Sequence, residues 1–226
     1  MANIVVGLND AKPAPSVGLA QHLCPSTDNH PRCAWGASTL DYASYHDNEW
    51  AVPTDNDVQV LERLCLEGFQ AGLSWLTILR KRDRFREVFH GFDPDTVAGF
   101  TESDVELLVG DPGIIRHRGK IEATINNARL VVEMQHRGES LAGLIWSYEE
   151  PDSTTPESLR DVASQTSQSQ KLSKDLRKRG FRFVGPTTAY AAMQAIGVVD
   201  DHLGQCWVRS ARESDRSNFV RPNLIR

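Results

Sequence analysis

Long hydrophobic runs are missing from this 226-residue sequence, in which no stretch approaches the roughly 18 consecutive apolar residues of a membrane span. Residues 1–8 lack the charged start and long apolar stretch of a secretory signal peptide. We therefore expect a cytoplasmic protein without membrane contact. Cysteine is scarce: four residues lie far apart along the chain, too few for a disulfide scaffold. Each is a candidate core residue, metal ligand or nucleophile.

Strand patterns are also rare, because apolar and polar residues seldom alternate and no internal repeat stands out. With 40% hydrophobic residues and five tryptophans, the chain has enough apolar side chain for a sizeable core, which excludes global disorder. Apolar residues recur instead at helical spacing, for example from Val58, Trp75 and Ile121. We predict an all-α fold of roughly eight to ten helices.

Helix starts and loop-forming segments divide the chain. Asp55, Ser74, Asp93-Pro94 and Thr101 with Asp104 are predicted helix starts. Proline-rich residues 1–31 are interpreted as a disordered arm, residues 32–208 as the folded domain and residues 209–226 as a basic tail. We interpret Glu150–Gln170 as a surface connection with one short helix near Leu159, followed by the last two helices, Leu172–Arg179 and Thr187–Ile196.

Positive charge is clustered although the formal net charge is −5, with basic residues concentrated in residues 80–86, 116–120 and 171–182. Such clusters form a face for a polyanion or a solvated helix surface. The third leads into a glycine-containing turn before Pro186. This is either an ordinary interhelical turn or a helix-hairpin-helix element whose amides and charges bind a DNA backbone. The DNA-binding candidates are Lys178, Arg179, Gly180, Gly185 and Thr187.

Two cysteines and two histidines are candidate metal ligands. Cys33 and His46 have twelve residues between them, and the i, i+4 spacing of His202 and Cys206 would place both on one face of a helical turn. Four such residues could close a tetrahedral structural zinc site. A buried free cysteine and hydrogen-bonded histidines explain the same residues, so spacing alone leaves both interpretations open.

Aromatic residues are dense between Trp35 and Trp75. Trp35, Tyr42, Tyr45 and Trp75 alternate with polar groups, and Glu67 falls among apolar neighbours on a helix that should be buried. Aromatic residues usually pack in cores, but a buried carboxylate needs a donor or a cation. Aromatic faces with one carboxylate favour a pocket for a flat, electron-poor ring that carries an amine.

Several blocks together resemble the bacterial 3-methyladenine DNA glycosylase I family, in order along nearly the whole predicted domain. They are Arg32-Cys-Ala-Trp35, Tyr45-His-Asp-Asn-Glu-Trp50, Leu66-Glu-Gly-Phe-Gln-Ala-Gly-Leu-Ser-Trp75, Gly113-Ile-Ile-Arg-His-Arg-Gly-Lys-Ile121, Lys178-Arg-Gly-Phe-Arg-Phe-Val-Gly185 and Asp201-His202. Ala34 and Ala51 stand where the family usually has glycine. Alanine next to pocket residues would shift the backbone of these loops, which affects fine selectivity but not the class of reaction.

The resemblance implies an all-α helix-hairpin-helix glycosylase that removes 3-methyladenine from alkylated double-stranded DNA and releases the free base. We expect it to be a monomer. It implies structural Zn²⁺ on Cys33, His46, His202 and Cys206, joining the N- and C-terminal segments. It also implies a base pocket of Trp35, Tyr42, Tyr45, Glu67 and Trp75. Glu67 is the candidate catalytic residue, which we expect to accept hydrogen bonds from the exocyclic amine of the base. Asp200 and Asp201, just after the hairpin, are candidates to support the sugar cation or to be structural. The alternative is a zinc-stabilised helical module that binds DNA or recognises damage without catalysis.

Overall fold

The computed structural model describes residues 23–25, 29–150 and 154–225, and over these residues the chain is mainly helical. Two short antiparallel strands, β1 (Leu23–Pro25) and β2 (Pro31–Cys33), pair with Leu23 opposite Cys33. The mainly helical prediction is confirmed, whereas most of the predicted arm, residues 1–31, lies outside the described residues. The helices are α1 (Leu40–Asn48), α2 (Asp57–Gln70), α3 (Trp75–Val88), a 3₁₀ turn (His90–Phe92), α4 (Pro94–Ala98), α5 (Glu102–Gly110), α6 (Arg118–His136), α7 (Leu141–Trp146), α8 (Ser167–Lys178), α9 (Pro186–Ala195) and α10 (Arg209–Asn218).

Most predicted helix starts are confirmed by side-chain caps. Ser74 accepts a hydrogen bond from the amide of Thr77, Asp93 caps α4, and Thr101 forms a capping box with Asp104. Each cap satisfies amides that have no partner inside the helix. At α2 the cap is Asn56, one residue beyond the predicted Asp55.

Two predictions about the later helices are wrong. Near Leu159 the chain forms a single turn, in which Ser158 and Asp161 bond to each other; such local side-chain bonds compete with helix formation. The helix after Thr187 is also not the last, because α10 follows it. None of the residues of α10 is buried, so it lacks the apolar period on which the prediction depended.

Helix α2 is the centre of the core. Ten of its fourteen residues are buried, and it packs against α3, α6, α7 and α9. Phe69 on α2 packs against Phe85 on α3, with 4.6 Å between the centroids of the two tilted rings. Because α2 is covered from several sides, any polar side chain on its inner face is removed from water. None of the described helices combines the length and the apolar run needed to cross a membrane.

The C-terminal segment, defined here as residues 209–225, packs back onto the body. The amide of Ser140 donates to the carbonyl of Leu224 at 2.7 Å, and Phe219 packs on Trp146 at 4.8 Å. A Cβ atom at Gly143 would lie 2.1 Å from the carbonyl oxygen of Asn223. This approach therefore requires glycine at position 143.

Candidate active site and metal centre

An aromatic cavity of about 330 Å³ lies between α1, α2 and α3, within the size range of small-molecule sites. Tyr45 and Trp75 form part of its wall, with their ring centroids 5.3 Å apart, and Leu66 contributes an apolar surface. Ser74 caps α3 and thereby fixes the backbone at Trp75. The remaining lining residues are polar or charged: Glu49, Gln59, Glu62, Arg63, Arg82 and Arg86.

The other two predicted pocket aromatics, Trp35 and Tyr42, are buried but do not line this cavity. Trp35 meets Tyr42 edge-on at 5.7 Å and lies 6.4 Å from Tyr45. The hydroxyl of Tyr42 accepts a hydrogen bond from the amide of Leu76 at 3.0 Å. These two residues therefore support the wall that Tyr45 and α3 present to the cavity.

Glu67 lies on the inner face of α2, is 0% exposed and is not among the residues that line the cavity; it lies behind Tyr45, close enough for its charge to act on that hydroxyl. Neither carboxylate oxygen has a hydrogen-bond partner among the described residues, and burial raises the pKa of this group to about 8. Burial, and after it the nearby charge of Glu67, raise the pKa of the Tyr45 hydroxyl. A buried carboxyl group without partners is costly, so this arrangement favours a bound cation or donor.

Arginines surround the cavity, each held by a partner. Arg82 forms two 2.7 Å bonds to Glu49 and lies over the Tyr45 ring at 5.7 Å. Arg86 pairs with Glu62, and Arg63 donates to the carbonyl of Ala195 at 2.8 Å. Two of the three charges are therefore balanced by glutamates.

These arginines were not among the residues assigned to the pocket from the sequence. Arg82 belongs to the first basic cluster and was considered only as part of a charged face. The sequence could have identified Arg63 as a candidate site residue, because it is a charged residue among apolar neighbours on α2, as Glu67 is.

Three of the four predicted metal ligands come together. The donor atoms of Cys33, His46 and Cys206 all lie within 4.8 Å of one another, and all three residues are buried. Gly36 follows a tight turn from Cys33, and a Cβ at this position would lie 2.6 Å from the His46 ring. The small residue lets the ring approach the turn.

The fourth predicted ligand, His202, lies beside this group, with its ring centroid 4.7 Å from that of His46. Its Nδ1 is 2.7 Å from Asp200, and its buried Nε2 has no hydrogen-bond partner in the described part of the chain. The Nδ1 of His46 likewise lies 2.8 Å from Asp47. Carboxylates on Nδ1 orient imidazoles so that Nε2 can bind a metal.

The two thiols at this centre differ electrostatically. The hydrogen bond with Cys33 lowers the pKa of Cys206, assisted by His46, and the same bond raises the pKa of Cys33. One thiolate therefore forms readily at a site that also offers imidazole nitrogen.

The hairpin between α8 and α9 is held tightly at its base. Gly180 has a φ of 99°, in the left-handed region that favours glycine. The Ser173 hydroxyl donates to the carbonyl of Val184 at 2.6 Å. Gly185 begins α9 without a side-chain cap, and Pro186 occupies its first position. The first amides of α9, at Thr187 and Thr188, therefore have no cap from a side chain.

The basic clusters differ in how far their charge is balanced. In the first, four arginines pair with acids, and Lys81 binds a backbone carbonyl. In the second, Arg118 pairs with Glu102 and Glu106 and Lys120 is buried, whereas Arg116 is exposed and has no acidic partner among the described residues. The third has most of the cations of this kind: Arg179 pairs with Glu139 and Asp175, whereas its other five members are exposed and have no acidic partner among the described residues. These are Lys171, Lys174, Arg177, Lys178 and Arg182.

Asp200 and Asp201 both have partners inside the protein. Asp200 holds His202 and lies 3.5 Å from Arg209. Asp201 accepts hydrogen bonds from the Tyr190 hydroxyl at 2.7 Å and from Gln194 at 2.6 Å. Neither lines the aromatic cavity, and these contacts favour the structural alternative.

Residues 35–210 match the family model described as methyladenine glycosylase. The chain is 50% identical over 177 residues to DNA-3-methyladenine glycosylase 1 of Escherichia coli, covering 77% of this chain and 95% of that protein. The chain belongs to the 3-methyladenine DNA glycosylase I family. Another family member, DNA-3-methyladenine glycosylase of Haemophilus influenzae, is 45% identical over 77% of this chain and 96% of its own length.

A solved structure of the family has the same fold. It is a tyrosine-to-phenylalanine variant of 3-methyladenine DNA glycosylase I in complex with 3-methyladenine, with a TM-score of 0.74, 35% identity and coverage of 78% of this chain and 96% of that chain. The family match includes the aromatic cavity, Glu67 and the hairpin, and most of the C-terminal segment lies beyond it. Ala51 adopts a φ of 61°, in the left-handed region that favours glycine.

Proposed function

We propose that this protein is a monofunctional DNA glycosylase that hydrolyses the N-glycosidic bond of 3-methyladenine in alkylated duplex DNA, the first step of base excision repair. The observation that carries the proposal is Glu67, a buried carboxyl group that has no hydrogen-bond partner among the described residues and lies close to Tyr45, which forms part of the cavity wall. Family membership supports the same reaction.

The substrate explains why the site needs few reactive groups. Methylation at N3 leaves the purine of the nucleotide cationic, so the base departs readily. The bond between the base and C1′ breaks with its electron pair moving to the base, which leaves as neutral 3-methyladenine. Water adds to C1′ and releases a proton to solvent. The protein's task is to extrude, hold and select the base.

The cavity would hold the cationic base by stacking and by a hydrogen bond to Glu67. Stacking on Tyr45 and Trp75 favours the cation by about 0.5–2 kcal/mol per contact. The positive charge of the base lowers the pKa of Glu67, so that the carboxylate forms and accepts a hydrogen bond from the exocyclic amine. Guanine has a carbonyl oxygen where adenine has the exocyclic amine, and this oxygen has no proton to donate to the Glu67 carboxylate. Trp35 and Tyr42 hold the wall from behind.

The duplex is proposed to lie across α8 and α9 as on a helix-hairpin-helix element. Gly180 and Gly185 permit close approach of a DNA strand, and the amides at Thr187 suit a phosphate oxygen. Lys178 supplies a positive charge that no acid among the described residues balances. Arg179 instead secures the end of α8 through its ion pairs, so its contribution is mainly structural.

Structural zinc is proposed on Cys33, His46, His202 and Cys206. Two thiols and two imidazole nitrogens suit tetrahedral zinc, and the unpartnered Nε2 of His202 next to the other three donors supports this set. When bound, zinc would supply cross-linking and no step of the reaction, because four protein ligands leave no position for substrate.

The deciding experiment is incubation of purified protein with duplex DNA treated with a methylating agent, followed by chromatographic identification of released bases. We expect 3-methyladenine to be released in preference to 7-methylguanine. Tight binding to the same duplex without release of any base would contradict the proposal and favour the non-catalytic module.

A further inference from the structure

Lys120, in the first turn of α6, is a buried lysine that the proposed chemistry does not use. Its ammonium group donates hydrogen bonds to the carbonyls of Phe69 at 2.8 Å and Ala71 at 2.7 Å. The ring of Phe183, in the hairpin, lies 5.9 Å from the same group. Burial lowers the pKa of this amine, since desolvation penalises the charged form.

The two carbonyls belong to the end of α2, immediately before the cavity wall. The last carbonyls of a helix lack partners within it and carry its negative end, so a cation there is favourable. The chain then turns through Gly72, with a φ of 87°, to Ser74, which caps α3 at Trp75. Lys120 therefore anchors the backbone that carries Trp75.

Helix α6 also holds the hairpin. The side-chain amide of Asn126 donates to the carbonyl of Gly180 at 3.0 Å. Asn127 donates to the carbonyl of Arg182 at 3.1 Å and accepts from its amide at 2.9 Å. Within three turns, the same helix thus contacts both the turn leading into the cavity wall and the hairpin that is proposed to bind DNA.

We propose that Lys120 is a positioning residue, which links α6 to the end of α2 and so holds the aromatic cavity at a fixed distance from the hairpin. The inference rests on the proposed function. An extruded base stays attached to a strand whose phosphates are held elsewhere, so cavity and hairpin must keep their spacing during the reaction. A displacement of about 1 Å at such a site costs on the order of 100-fold in rate.

The test is Lys120→Met, which keeps the side-chain length but removes the charge and its donors. We expect its single-turnover excision of 3-methyladenine from methylated duplex to fall at least about ten-fold. Affinities for free 3-methyladenine and for undamaged duplex, which each use one half of the site, should stay within about two-fold. Lys120→Arg retains the cation and donors and should restore excision to within about three-fold of wild type.

Two controls separate positioning from stability. Lys81→Met removes another lysine that donates to a backbone carbonyl, that of Pro112, and should leave excision unchanged. Thr124→Val removes a buried hydroxyl that donates to the carbonyl of Lys120 on the same helix. It should lower the melting temperature without the selective loss of excision. Asn127→Ala, which releases the hairpin from α6, is the second test variant should Lys120→Met not fold, and the same selective loss is expected.

Excision at the wild-type rate by folded Lys120→Met or Asn127→Ala protein would overturn the inference. So would an equal loss in Thr124→Val protein of matched stability. If the wild-type protein releases no 3-methyladenine, the proposed function itself fails and this inference fails with it. Wild-type excision together with unaffected variants would remove only the role of Lys120.

Discussion

At the scale of single residues, Glu67 is a buried carboxyl group that would gain a hydrogen-bond partner only when a ligand binds. Its carboxyl group is fully buried, has no partner among the described residues and keeps its proton up to about pH 8. By contrast Asp57, on the same helix, accepts hydrogen bonds from Ser140 and Ala142 at 2.8 Å. Two buried carboxyl groups on one helix thus have different surroundings, and we expect different consequences of replacing them.

Glu67→Gln should reduce excision of 3-methyladenine roughly ten- to a hundred-fold, because a charge-assisted hydrogen bond contributes about 1.5–3 kcal/mol. The measurement is single-turnover release from methylated duplex, with protein in excess. Asp57→Asn is the matched control, and should lower the melting temperature while the folded fraction excises normally. Normal excision by Glu67→Gln protein would remove Glu67 from the pocket assignment.

The pH dependence of stability provides a second test of Glu67. In the unfolded chain this group loses its proton near its ordinary pKa of 4.5, whereas burial keeps the proton in the folded state to about pH 8. Between these values the folded state binds a proton that the unfolded state has released, so folding stability falls as pH rises, by up to about 1.4 kcal/mol per pH unit. Glutamine lacks this titration.

We therefore expect the free energy of unfolding of Glu67→Gln, relative to wild type, to rise progressively from about pH 5 to pH 8 and to level off above that. Urea unfolding of both proteins at each pH measures the difference, in which contributions from other groups largely cancel. A difference that does not change with pH would show that Glu67 is already ionised in the folded protein.

At the scale of elements, the three basic clusters are alike in composition but differ in surroundings. The cluster on α3 is balanced by acids from neighbouring elements, whereas the cluster leading into the hairpin presents cations without an acidic partner in the described part of the chain, beside uncapped amides. Of these two clusters, only the one leading into the hairpin leaves positive charge available for phosphates.

Lys178→Glu should weaken binding to damaged and undamaged duplex alike, and should reduce the slope of log affinity against log salt by about one for each phosphate that is no longer neutralised. Lys81→Glu, the same charge reversal at a half-buried lysine of the balanced cluster, should change affinity far less. Affinities measured by fluorescence anisotropy over a range of salt concentrations test this. A selective loss for damaged duplex would instead assign Lys178 to lesion recognition.

The C-terminal segment is an element whose attachment depends on one glycine. Gly143→Ala would place a methyl group against the backbone at Asn223, so we expect a loss of about 1–3 kcal/mol of stability from overpacking. Removal of residues 211–226 should abolish this effect, because the clashing backbone is gone. Thermal unfolding of both single variants and of the combination measures it, and additive losses would contradict the proposed contact.

At the scale of the whole molecule, the proposed metal centre would join distant parts of the chain. Cys33 and His46 precede the core helices, and His202 and Cys206 follow the last buried one. A cross-link over so long a separation restricts the unfolded chain strongly.

We expect about one zinc atom per chain, and Cys33→Ser or His202→Ala should lower the melting temperature on the order of 10 °C. The excision rate of the protein that remains folded should change little. Cys65→Ser, at a buried cysteine outside the centre, should retain the metal. Elemental analysis together with calorimetry tests these expectations, and carefully purified protein without metal would contradict the assignment.

How far the sequence could predict this molecule depended on whether the relevant signal was local. Ser74, Asp93 and Thr101 could be identified as helix caps because a cap is made within four residues. Helix α10 could not be predicted, because its stability depends on arginine contacts with Gly197 and Glu149, distant in sequence, rather than on an apolar face. The same limit applies to Arg82, which shares its sequence context with the other residues of its cluster although it alone lies over Tyr45.

The sequence by itself determined the helical class, most helix starts, the family and the exceptional character of Glu67, because periodicity, caps and motifs are properties of neighbouring residues. Only the tertiary structure decided which aromatics line the cavity and which support it, which basic cluster leaves most of its cations without an acidic partner among the described residues, and that His202 lies beside His46. These outcomes depend on contacts between residues far apart in the chain. Burial, pairing and desolvation are set by such contacts, and no local pattern records them.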